Sequence, residues 1–305
     1  SPFDPATAYV AVTGYRRGDY SPMAFKTADY GKTWTKIVAG IPDDHPVRVV
    51  REDPEQRGLL YMGTEMGVFV SKDDGASWKT LRLNMPVTPV TDLQVRSGDL
   101  VASTQGRGFW ILDDITPLRV YRASADAPSD GVRLLRPRAT PRTEYASTTD
   151  PALGANPPTG VIAYYWLAKA PEKSLTLEVL DAAGRAVRKV SWLSPAAILS
   201  GSGAPTPAPV TAAPTPPPPS IKPGLNRWVW NLRHEDVPKI PGIMFESARG
   251  HLAGIGKYTL RVTADGVASS ETVDLQMDPR LMVDLRVKEA DLTAAADLAR
   301  EVRAW

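Results

Sequence analysis

Ser71-Lys72-Asp73-Asp74-Gly75-Ala76-Ser77-Trp78 aligns without a gap on Thr27-Ala28-Asp29-Tyr30-Gly31-Lys32-Thr33-Trp34, with 44 residues between Trp34 and Trp78. Both read Ser/Thr-x-Asp-x-Gly-x-Ser/Thr-Trp. An Asp followed two positions later by Gly specifies a tight turn, because the carboxylate accepts backbone N–H bonds across it and Gly takes the positive φ that a side chain resists. The tryptophan then packs into the adjoining strand layer. Asp29, Gly31, Trp34, Asp73, Gly75 and Trp78 are therefore read as architectural residues. Upstream of each motif lies a matching strand: Asp4-Pro5 precedes Ala8-Tyr9-Val10-Ala11-Val12, and Asp53-Pro54 precedes Leu59-Leu60-Tyr61-Met62-Gly63-Thr64. The first copy is longer by five residues, which a loop at Gly14–Tyr20 absorbs. A third, degenerate copy runs from Leu100 to Asp113 and lacks the motif itself. A period of 40 to 45 residues holding four short strands marks a propeller blade.

The motifs at 27–34 and 71–78 resemble the Asp-box, or BNR, repeats of sialidases, sortilin-type receptor domains and xyloglucan-degrading glycosidases. Leu60–Ser71 and Thr104–Asp114 resemble the last blades of large secreted bacterial BNR-repeat proteins of sortilin-like type, often labelled glycosyl hydrolases. The resemblance implies blades over residues 1–120, then an immunoglobulin-like β-domain and helices. A closed propeller takes four to eight blades, and two or three leave a face and a strand edge uncovered. Either a longer chain or another protein is expected to cover them.

Residues 121–159, rich in Arg, Pro, Ala, Ser and Thr, read as a connection. From 160 to 279 short strands return, at Val161–Leu167, Ser174–Leu180, Ala186–Val190, Gly224–Leu232, Gly256–Thr263 and Glu271–Met277, with Asp-rich and Gly-rich turns such as Asp265-Gly266. The alternation predicts an antiparallel sandwich, and the phrases Gly-Leu-Asn-Arg-Trp-x-Trp and Gly-Lys-Tyr-Thr-Leu-Arg-Val resemble immunoglobulin-like or fibronectin-like accessory domains. Ten prolines at 195–223 give an extended loop of polyproline character within it. Residues 280–305, with Leu285, Leu292, Leu298 and Val302, predict a terminal helix. The fold class is thus all-β: an open propeller segment of two to three blades, a sandwich and a short helix.

Composition narrows the function classes. The 305 residues are 43% hydrophobic and 23% charged, near globular averages. A net charge of +2 is too small for the basic face that nucleic acids require. No cysteine is present, which removes disulfides, thiolate metal sites and cysteine nucleophiles. His45, His234 and His251 form no H-x-x-x-H pattern, and no G-x-S-x-G elbow, P-loop or dinucleotide fingerprint occurs. No cofactor or metal is expected. Paired carboxylates for glycoside cleavage can be sought in Asp113 and Asp114, Asp43 and Asp44, or Glu65, but structural roles are the stronger reading, since Asp113-Asp114 follows a strand where a turn is due. Arg16, Arg17 and Tyr20 in the inserted loop, with Arg107, are the candidate interaction residues. Trp166, Trp228 and Trp230 invite a sugar-stacking role, against core packing of a sandwich.

The preferred expectation is a non-catalytic scaffold or interaction subunit, periplasmic or extracellular in a bacterium, that docks through its open propeller segment onto other protein subunits of a larger, possibly membrane-anchored complex. The chain opens on Ser1-Pro2-Phe3-Asp4 without a leader pattern, as a mature chain would. The alternatives are a fragment of a secreted BNR-repeat glycoside-acting enzyme, or a carbohydrate-binding module.

Overall fold

The computed structural model describes residues 1–120, 131–143, 154–195, 218–236 and 249–280. It divides into two compact units, Ser1–Arg122 and Ala123–Trp305. Nearly every element is a strand.

The first unit holds three antiparallel sheets in succession. β1 (Ala8–Val12), β2 (Met23–Thr27) and β3 (Thr35–Lys36) form the first, and β4 (Val47–Glu52), β5 (Leu60–Thr64), β6 (Gly67–Ser71) and β7 (Lys79–Thr80) the second. β8 (Val90–Arg96), β9 (Asp99–Thr104) and β10 (Phe109–Leu112) form the third, followed by the short helix α1 (Thr116–Val120). These are the blades of an open propeller segment, and only the second has all four strands among the described residues. The pairings repeat: Ala8 faces Thr27 in the first sheet as Leu60 faces Ser71 in the second, and Ala102 faces Trp110 in the third as Met62 faces Phe69.

The sheets stack through two apolar layers. Between the first and second lie Ala24, Ile37 and Ile41 on one side and Val50, Leu60, Met62, Phe69 and Trp78 on the other. Between the second and third lie Tyr61, Val68, Val70 and Met85 against Val90, Leu93, Leu100 and Ala102. β5 and β6 are buried along their whole length because both faces are covered, which is why they read as continuous apolar runs instead of alternating ones. Gly63 sits where a Cβ would come within 2.6 Å of Val49 Cγ1 and 2.8 Å of Val90 Cγ1, so the close approach of β5 to its neighbours excludes any side chain there.

In the second unit two sheets enclose one core. One is β11 (Val132–Leu134), β13 (Val161–Leu167) and β16 (Gly224–Trp230); the other is β12 (Thr140–Pro141), β18 (Val267–Gln276), β17 (Gly256–Ala264), β14 (Ser174–Leu180) and β15 (Ala186–Leu193), each listed in spatial order. Alternate residues, including Tyr165, Leu167, Leu175, Leu177, Leu260 and Val262, point into the shared core. Residues 121–159, expected only to connect, contribute β11 and β12, and β12 pairs with β18 in parallel, so the sandwich is not wholly antiparallel. Short pairings of two or three residues carry little periodicity, which is why composition alone hid them. Most of the Pro-rich loop and all of the terminal helix beyond Arg280 lie outside the described residues.

Candidate docking surfaces of the blade unit

The two eight-residue turns superpose bond for bond. Thr27 Oγ1 donates to Asp29 Oδ1 at 2.8 Å, and Ser71 Oγ to Asp73 Oδ1 at 2.7 Å. Gly31 N and Gly75 N each donate 2.9 Å to that same hydroxyl oxygen. Thr33 N and Ser77 N each reach the aspartate Oδ1 at 2.9 Å, while their hydroxyls donate to Oδ2. Tyr30 and Asp74 take φ of 60° and 61°, and Gly31 and Gly75 follow at 83° and 88°. Hydrogen bonds from Thr33 hold the Asp29 carboxyl down at about 2. At Asp73 burial pushes the pKa up, but bonds from Ser77 and Ser71 outweigh it and leave it below the usual value.

What surrounds the turns differs. Trp78 is 3% exposed and donates Nε1–H to Ile37 O of the first sheet at 2.9 Å, while its N–H reaches Ala39 O. Trp34 is 46% exposed and its indole turns back to Gly31 O at 3.1 Å. The face around it holds Val10, 39% exposed, where the second sheet buries the counterpart Met62 completely. On the third sheet, Phe109 and Ile111 stand 77% and 58% exposed at the places of Val68 and Val70. Two blade faces therefore present apolar side chains that the same positions in the second blade bury.

The joint between the first two blades also carries polar contacts. Tyr9 Oη donates 2.6 Å to Asp74 Oδ1, and Lys26 Nζ pairs with the other oxygen. Burial, and then the bond to Asp74, push the Tyr9 phenol well above its normal range. Asp53, fully buried, accepts from Arg119 Nε at 2.9 Å, from Tyr61 Oη at 3.3 Å and from the N–H groups of Glu55 and Gln56. Neither cluster was singled out from the sequence. Their only signal there is the Asp-Pro before β1 and before β5, and the second aspartate of Asp73-Asp74.

The predicted interaction residues lie at one end of the sheets, because the β1–β2, β5–β6 and β9–β10 connections are counterparts. Arg16 and Arg17 sit in a 3-10 turn, Tyr15–Arg17, closed by Gly18. Tyr20 is 59% exposed in the same loop. Arg107 lies between the positive-φ Gly106 and Gly108 of the third sheet. Between them, Glu65 is engaged by Arg48, whose guanidinium also lies 5.5 Å from the Tyr15 ring centre.

Three of the carboxylates considered for catalysis, Glu65, Asp114 and Asp44, have structural partners. Asp114 is buried and receives Thr116 N at 3.1 Å to cap α1. Asp44 accepts from Nδ1 of His45, the residue that follows it in the chain, at 2.8 Å. His234 and His251 stack at 3.8 Å. Trp230 is fully buried, 5.1 Å from Tyr258, and Trp228 packs against the same core. Trp166 lies on the opposite face of β13, over Gly224. Among the described residues no group of three His, Asp or Glu side chains could hold a metal ion, and no helix is long and apolar enough to cross a membrane.

No family model matches the chain, and no curated protein does. Solved structures with similar parts include YCF48 bound to D1 peptide, at 22% identity over 30% of this chain and 30% of that one, with a TM-score of 0.24. Another is an ancestral GH74 enzyme, at 12% identity over 62% of this chain and 26% of that one, TM-score 0.23. The chain thus spans less than a third of the length of either.

Proposed function

We propose that this chain is a non-catalytic interaction subunit of the bacterial periplasm or exterior, whose Asp-box blades dock onto a larger protein assembly. The observation that carries the reading is the difference between two identical turns: Trp78 is buried by the blade before it, while Trp34 and Val10 present the same kind of surface uncovered. Apolar faces of this sort are normally buried against a neighbour. Glu65, Asp44 and Asp114 have structural partners in an ion pair, a histidine and a cap, which fits a binding role.

The test is light scattering on the native protein taken gently from its source, with mass spectrometry of everything that co-elutes. A stable assembly with distinct proteins supports docking. A protein that elutes without partners and turns over glycan substrates would sink it.

A further inference from the structure

A shallow apolar groove lies between the second and third blades. Its walls include Val68, Leu81, Met85, Leu100, Ala102 and Trp110. Each is the counterpart of a residue in the cluster around Trp78 one blade earlier: Ala24, Ile37, Ile41, Leu60, Met62 and Phe69 in the same order. The hydrogen bonds correspond as well, since Leu81 N donates to Val68 O as Ile37 N donates to Ala24 O, and Met85 N to Arg82 O as Ile41 N to Val38 O. The Leu81 carbonyl holds the place of the Ile37 carbonyl that receives the Trp78 indole.

Two parts of the pattern have no counterpart among the described residues. The third sheet ends at β10, whereas β6 is paired by β7 through Phe69 with Thr80 and Val70 with Lys79. The sequence after Leu112 also lacks the motif that would deliver a tryptophan. An apolar seat and an adjacent strand edge thus stand side by side.

We propose that an extended segment of a partner protein adds as a fourth strand to the open edge of β10 and seats a tryptophan in this groove, its indole N–H on Leu81 O. The geometry is that of strand addition, with main-chain bonds supplying adhesion and one side-chain pocket supplying selectivity. Continuity with the Trp78 joint specifies the occupant: a small polar residue, then Trp, then two residues facing Ile111 and Trp110, as Ser77-Trp78-Lys79-Thr80 does in the preceding blade. This deepens the docking reading, naming a second surface and what it takes.

The probe is a fluorescein-labelled peptide copying residues 71–81, titrated into the full chain and followed by anisotropy. Saturable binding is expected, weakened at least about tenfold when alanine replaces its tryptophan, as for a hot-spot anchor. The Leu83→Glu and Ile111→Glu variants, at sites 69% and 58% exposed and so safe for folding, should weaken it similarly. Absence of saturation, equal binding of the alanine peptide, or indifference to both variants overturns the proposal. So does self-association of the chain that Leu83→Glu abolishes, which would make a second copy the occupant. A native assembly that persists while the peptide fails leaves the docking reading standing and removes only this seat.

Discussion

Tyr9 Oη and Asp74 Oδ1 meet at 2.6 Å across the joint between the first and second blades, 65 residues apart in the chain. Asp74 can be there because it takes φ of 61° in its turn, the conformation that Tyr30 adopts in the other copy. Lys26 reaches the same carboxylate, so one turn residue ties two strands of the neighbouring blade. Tyr9→Phe should lower stability by about 1 kcal/mol, the net value of one hydrogen bond. Asp74→Ala should cost more by stranding both partners. Chemical denaturation of the two variants checks the order.

Trp78 and Trp34 separate joint from surface. Trp78→Ala empties a buried site and leaves Ile37 O without its donor, so a loss of about 3–5 kcal/mol is expected. Trp34→Ala removes a half-exposed ring and should cost about 1 kcal/mol or less in the isolated chain. Equal losses in thermal unfolding would contradict the assignment of the two faces.

The turn carboxylates predict acid sensitivity. The Asp29 pKa is lowered from 3.8 to about 2, and that of Asp73 is lowered as well. A depressed folded pKa gives stability that is present above the unfolded value and lost as pH falls through the folded one. Unfolding free energy should therefore be flat above about pH 5 and fall between roughly pH 4 and pH 2. The Asp29→Asn, Asp73→Asn double variant should be less stable at neutral pH and show a shallower decline over that window.

At the alkaline end the sign reverses. Burial, followed by the bond to Asp74 at Tyr9 and the charge of Asp53 at Tyr61, raises both phenols above 10.0. Their stabilising effect is whole below the unfolded value and declines above it. Phenolate absorbance of the native chain should show tyrosines lagging behind the exposed set and ionising together with unfolding.

Arg119 guards a buried charge. Its guanidinium pairs with Asp53 at 2.9 Å and with Glu55 at 2.7 Å. Arg119→Ala leaves Asp53 buried without its cation, at an expected loss of about 3 kcal/mol. Pairing it with Asp53→Asn should recover part of that loss, a coupling that a double-mutant cycle measures.

The sequence by itself determined each turn and the strands beside it. The Ser/Thr, Asp and Gly of the motif supply the bonds that close its turn, so both copies make the same turn. The alternating runs of the sandwich were legible for the same reason, since period-two burial is written along a single strand. Tertiary structure alone decided what those elements face. Nothing in either motif distinguishes Trp34 from Trp78, because burial belongs to the neighbouring sheet and not to the indole. The strands at 132–134 and 140–141 were invisible because so few residues carry no period, and their partners lie in distant segments. The groove beside Trp110 came from the fold as well: its walls are drawn from two blades, and only their packing brings Val68, Leu81 and Met85 against Leu100, Ala102 and Trp110.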